Sequence, residues 1–91
     1  MSPTPDTEAL ERIVIDALSA VSADAASATR DSEVQQLVDS LGLVIALANI
    51  QDALDVALEP DEIVDVLGCR TIADVALVLQ AALTARLTSQ D

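Results

Sequence analysis

The chain has 91 residues, 52% of them apolar and none aromatic, and sixteen acids against four arginines give a net charge of −12. This length fits one domain with one core, and the apolar content excludes general disorder despite the charge. The negative charge excludes nucleic acid and anionic membrane surfaces as partners, since both require cationic patches.

Leu, Ile, Val and Ala must fill the core alone, and such small side chains suit closely packed helices, so the expected class is all-α. Residues 1–5, with Pro3 and Pro5, read as a disordered leader, and residues 6–87 as a single domain. Asp6 or Thr7 can cap a first helix reaching about Val21, with Glu8 and Glu11 in its first turns. Its positions Leu10, Ile13, Val14, Ala17, Leu18 and Val21 follow the i, i+3, i+4, i+7 stripe of a half-buried helix.

Residues 22–31 have short side chains and no stripe and read as a long loop. Connections of this length in small domains are often functional. Glu33 to Val38 add a helical turn, with Val34, Leu37 and Val38 facing the bundle. The second helix runs from Ser40 or Leu41 to about Val56. Leu43, Leu47, Ile50, Leu54 and Leu58 form its core stripe, at spacings of four, three, four and four. Leu41, Val44, Ile45 and Ala48 lie around the helix from that stripe. A helix apolar nearly all round is either buried or part of an interface, and both readings stay open here.

Glu59-Pro60-Asp61-Glu62 opens a short third helix, where proline is tolerated because its missing N–H has no helical partner. Ile63, Val66 and Leu67 face inward, and Gly68 stops the helix. Thr71-Ile72-Ala73-Asp74 has the pattern of a capping box with Asp as its acid. The last helix carries Ile72, Val75, Val78, Leu79, Ala82, Leu83 and Leu87 at helical spacing, and Thr88–Asp91 form a frayed tail.

Several absences exclude chemistry. Without histidine no Ser-His-Asp or Cys-His arrangement can be built, so a small hydrolase has only a serine in its favour. Cys69, the single cysteine, cannot form an internal disulfide or close a structural zinc site. Flanked by Gly68 and Arg70, it reads as a small buried thiol. Gly42 and Gly68 stand too far apart for a phosphate-cradling loop. The longest apolar run, Leu41 to Ala48, is too short to span a bilayer, and no signal peptide opens the chain. The expectation is a cytoplasmic protein that is not an enzyme.

Asp39-Ser40-Leu41 is the most informative segment. It places a serine in mid-chain, after a long loop, at the opening of an apolar helix. A phosphate on that hydroxyl would meet unpaired backbone N–H groups and the positive end of the helix dipole. Taken with the Pro60-x-Glu62 junction and the Thr71-Ile72-x-Asp74 opening that follow in order, the stretch from about Val34 to Leu83 resembles the acyl carrier protein family. Three departures mark the chain: Leu37 stands where the family often has glycine, Leu41 to Ile50 carries no acid, and Pro60 falls one residue late. Gly42, directly after the tripeptide, is similar to the D-alanyl carrier branch.

The resemblance implies a four-helix acyl-carrier-like bundle with a long first loop and a short third helix. It implies a 4′-phosphopantetheine arm attached covalently at Ser40, holding acyl or aminoacyl groups as thioesters. Implied partners are a phosphopantetheinyl transferase, a loading ligase or transferase, and ketosynthases or other condensing and tailoring enzymes. The pathways are polyketide, nonribosomal-peptide or fatty-acid-type biosynthesis. Asp39 would help present the site to the transferase, and Leu41, Val44 and Ala48 match the family's apolar contact positions. Asp52, Asp55, Glu59, Asp61 and Glu62 form an acidic patch able to pair with basic partner residues. Exposed pairs of this kind contribute less than about 1 kcal/mol each and steer more than they hold. Ser32 also follows an aspartate, but Glu33 comes next, so it serves as an internal decoy. The carrier is expected to be a monomer; the competing readings are Ser40 as an ordinary N-cap, and an acidic helical module that docks a partner or a second copy non-covalently through its second helix.

Overall fold

The computed structural model describes residues 6–89, with side chains to Arg86. Aspartate opens the fold: Asp6 Oδ1 accepts the Ala9 N–H at 2.8 Å and caps α1 (Thr7–Ser19). The sequence stripe is realised, with Leu10, Val14, Ala17 and Leu18 buried and Ile13 and Val21 packed at its border. The helix ends at Ser19, short of Val21, because Val21 and Ser22 both donate to the Leu18 carbonyl and tighten the exit.

The long connection is structured. A 3-10 turn at Ala23–Ser27 buries Ala25 completely, and this small residue is what lets the loop lie on α1. Arg30 pairs with Glu11 across 3.1 Å. Carbonyls of Arg30 and Ser32 then accept the N–H groups of Ala73 and Ile72 at 2.9 and 3.1 Å. Those donors belong to the first turn of the last helix, where a helix has no internal acceptors. Val34 donates in return to the Arg70 carbonyl, and Glu33 forms an isolated bridge with Thr71. The single turn α2 (Val34–Leu37) follows, with Val34 and Val38 buried.

α3 (Ser40–Leu54) buries Gly42, Leu43, Ala46, Leu47 and Ile50. Leu58 is also buried, whereas Leu54, expected in the core stripe, is only half-buried. The helix stops two residues before the expected Val56, because Asp55 turns into the left-handed region at φ 56°. Val56 then donates to the Gln51 carbonyl and closes the exit. α4 (Pro60–Leu67) begins at the proline and buries Val66, with Ile63 and Leu67 half-buried. Gly68 ends it in an ordinary right-handed conformation, so its role there is not a left-handed turn. α5 (Ile72–Ser89) starts from the expected capping box: Thr71 Oγ1 accepts from Asp74 N–H, and Asp74 Oδ2 from Thr71 N–H. It runs two residues beyond Leu87, into the expected tail, and Gln90 and Asp91 lie outside the described residues, as does the leader at 1–5.

The described residues thus form five α-helices without a strand, the fifth being the one-turn α2. α1 packs on α5 and α3, and α4 packs on α5 and, to a smaller extent, on α3. A radius of gyration of 12.3 Å matches the roughly 12 Å of a folded chain this long.

Candidate functional site

The site is the start of α3. Asp39 lies in extended backbone, and its Oδ1 accepts the Gly42 N–H at 2.7 Å. Asp39 is therefore the N-cap, and the competing reading of Ser40 as that cap is removed. Ser40 is the first residue of the helix and is exposed. With the Gly42 N–H taken by the cap, the Ser40 and Leu41 N–H groups stay open toward the end of the helix.

Gly42 holds this corner close to the rest of the domain. A Cβ there would lie 3.1 Å from Val21 Cγ1 and from Val38 Cβ, and 3.2 Å from Asp39 Oδ1. The end of α1, the turn after α2 and the cap therefore all approach α3 where the side chain is missing. Ser40 projects from a fixed base.

Beyond the serine, α3 separates into two apolar faces. Leu43, Ala46, Leu47 and Ile50 face the core. Leu41, Val44 and Ile45 are 69%, 48% and 47% exposed, and Ala48 is exposed with them. Positions 41, 44, 45 and 48 are neighbours on one helical face, so this is a continuous strip beginning next to Ser40. The reading of α3 as a wholly buried core helix does not describe the molecule.

The predicted acids divide. Asp52, Asp55, Glu59 and Asp61 are exposed around the α3–α4 turn. Glu62 is half-buried and already engaged: Arg86 donates to its Oε1 and Oε2 at 2.8 and 3.0 Å, and Glu59 N–H donates to Oε1 at 2.8 Å. The Arg86 hydrogen bond, and after it the Glu59 N–H, hold this carboxyl below the usual range against the opposing effect of burial.

Ser32 differs from Ser40 in its surroundings. Its Oγ accepts the Thr29 N–H at 3.0 Å and its own N–H donates to the Thr29 carbonyl, inside a tight turn. Cys69 is buried, its Sγ donating to the Asp65 carbonyl at 3.3 Å. Burial, then Asp74 and Asp65, push this thiol up, away from reactivity.

Two contributors were not legible in the sequence. Gln51 Oε1 accepts the Leu58 N–H at 2.8 Å while its Nε2 donates to the Leu47 carbonyl at 3.3 Å, fixing the way out of α3. Arg86 reaches the Ala57 carbonyl at 2.6 Å as well as Glu62. Both contacts depend on how α3, α4 and α5 meet, which no local motif encodes.

The surface depressions beside the later turns of α3 are open grooves. One of about 360 Å³ lies between α1 and α3, lined by Ile13, Asp16, Ala17, Ala20, Asn49 and Ala53. Another, at the α3–α4 turn, includes Ala48, Asp52 and Asp55. Among the described residues no group of His, Cys, Asp or Glu could hold a metal ion, and no helix is long and apolar enough to cross a membrane.

Fold and site together define a small helical domain that presents a serine and an apolar strip at the start of one helix. Compared with models of known families, with curated proteins and with solved structures, the chain matches none.

Proposed function

We propose that the protein is a carrier of acyl or aminoacyl groups, held as thioesters on a 4′-phosphopantetheine arm at Ser40. One observation carries this reading: Ser40 is exposed at the first position of α3, between the Asp39 cap and the Leu41–Val44–Ile45 strip. A phosphodiester at its Oγ sits beside open N–H groups and the positive end of a fifteen-residue helix.

The arm does the chemistry that the chain lacks. A thioester keeps its carbonyl electrophilic and activates the adjacent carbon, and tethering raises the effective concentration of the group at each partner's site. The protein itself supplies a rigid base and a recognisable surface. Leu41, Val44 and Ala48 form the contact surface for a phosphopantetheinyl transferase, for a loading ligase or transferase, and for condensing enzymes such as a ketosynthase. Asp39, Asp52, Asp55, Glu59 and Asp61 steer basic partners toward it. Polyketide, nonribosomal-peptide and fatty-acid-type biosynthesis all use such a carrier. The acid-free stretch from Leu41 to Ile50 favours a specialised pathway over housekeeping fatty-acid synthesis.

The second reading is a non-covalent docking module, favoured by the same exposed strip, which needs no modified serine. Coenzyme A and a broad-specificity phosphopantetheinyl transferase separate the two. The carrier gains one phosphopantetheine, mapped by peptide mass to Ser40, lost in Ser40→Ala and never found on Ser32. Absence of any gain with several transferases, on a folded chain, sinks the carrier reading and leaves the docking module.

A further inference from the structure

We infer that Arg86 latches a separately opening unit, the segment from Val56 to Gly68 that carries α4. Opening it uncovers the apolar side of α5 beneath. The inference does not depend on Ser40 being modified.

Three observations converge on it. First, α4 is weakly anchored. It is eight residues long, it has one fully buried side chain, Val66, it packs mainly on α5, and the stretch ahead of it in the segment adds only Leu58 to the core. The other long helices hold one another through Leu10, Val14, Leu18, Leu47, Ile50, Ile72, Val75 and Leu79, all at most 2% exposed. Second, the segment is bounded by a left-handed residue and an exposed glycine, and one side chain of α3, Gln51, holds its start through the Leu58 N–H. Asp55 breaks α3 with a left-handed backbone, and around Gly68 an added Cβ would meet only the Asp65 and Val64 carbonyls, at 3.7 Å.

Third, one side chain ties the segment down at two places. Arg86 on α5 grips both oxygens of Glu62 and, at 2.6 Å, the Ala57 carbonyl ahead of α4. Its Nη1 is held in turn by the Ala82 carbonyl one turn earlier on α5, at 3.0 Å. Glu62 passes the grip to the start of α4 by accepting the Glu59 N–H. A forked guanidinium can make these contacts together, and an ammonium cannot. Units with few buried contacts open below the global unfolding free energy, and here the Arg86 grip raises that local threshold beside the Gln51–Leu58 bond at the start of the segment.

Native-state hydrogen exchange of the full unmodified chain, at low denaturant concentrations, tests this. The amides from Ile63 to Gly68 should be less protected than those in the middle of α1 and α3, and should depend less on denaturant. Glu62→Gln keeps an oxygen to accept the Glu59 N–H but removes the charge, and should lower protection in α4 about tenfold. Arg86→Lys should lower it in the same direction. Val14→Ala, whose contacts break only on global unfolding, should lower protection in α1 and leave α4 unchanged. Two results overturn the inference: α4 amides that share the denaturant dependence of α1 and fall with Val14→Ala, or α4 protection untouched by Glu62→Gln.

Discussion

Leu47→Ala and Val44→Ala, three residues apart on α3, should differ widely in cost, because one side chain faces the core and the other the solvent. Leu47 is 2% exposed among Leu43, Ala46 and Ile50. Truncating such a leucine costs about 2–5 kcal/mol, the lost transfer energy plus the cavity left behind. A domain of this length has roughly 5–14 kcal/mol in all, so the substitution removes a large part of its stability. Val44 is 48% exposed, and its removal costs less than about 0.5 kcal/mol in lost burial. Alanine, a better helix former than a β-branched residue, offsets even that. Leu54→Ala should fall between the two, since Leu54 is half-buried. The chain has no aromatic residue, so intrinsic fluorescence cannot follow unfolding. Urea titrations read by far-ultraviolet circular dichroism can, at one fixed salt concentration. Equal losses for Leu47→Ala and Val44→Ala would mean that α3 is rotated about its axis and that the exposed strip does not exist.

Asp55 occupies a left-handed backbone and places a negative charge at the negative end of α3. Glycine relieves both, so Asp55→Gly should stabilise by about 1 kcal/mol, and a loss of stability in the same titration would contradict the exit geometry. Glu62 has its folded-state pKa depressed by Arg86, so the pair's contribution is complete above the unfolded-state value of 4.5 and is lost as pH falls through the lower folded-state value. The stability gap between the native chain and Glu62→Gln should therefore be constant near neutral pH and narrow below about 4.5; a gap unchanged down to pH 2 would exclude the pairing. Cys69, buried with its thiol pushed up, should react with a maleimide at least ten times more slowly in the folded chain than in denaturant. Equal rates would place the thiol at the surface.

Much of this fold was legible because local chemistry and tertiary packing agree. The Asp6 and Thr71 caps, the proline start of α4, and the α1 and α5 stripes are each decided within a few residues of sequence. The serine at the first turn of α3 was legible for the same reason. What escaped depends on meetings between distant segments. Ala25 reads as loop by composition, yet it is fully buried because a methyl group is all the space above α1 allows. The end of α3 carries no glycine, so a left-handed Asp55 left no mark. Glu62 looks like its acidic neighbours, and only Arg86, 24 residues later, takes it out of the free patch.

The two faces of α3 also bear on the charge. The spacing marks the Leu43–Leu47–Ile50 stripe as the core face, and α1 and, to a smaller extent, α4 cover it by packing on α3. The stripe left over, Leu41 to Ala48, is an exposed apolar surface of the kind that marks an interaction site and also invites self-association. Two copies meeting there would bring together Asp39, Asp52 and Asp55 from each chain, on proteins of net charge −12. Like charges directly opposed penalise that encounter, and a basic partner surface meets none of the penalty. The acids thus do more than keep the chain in solution. Under the proposed carrier reading they steer basic surfaces toward the strip at whose head Ser40 stands.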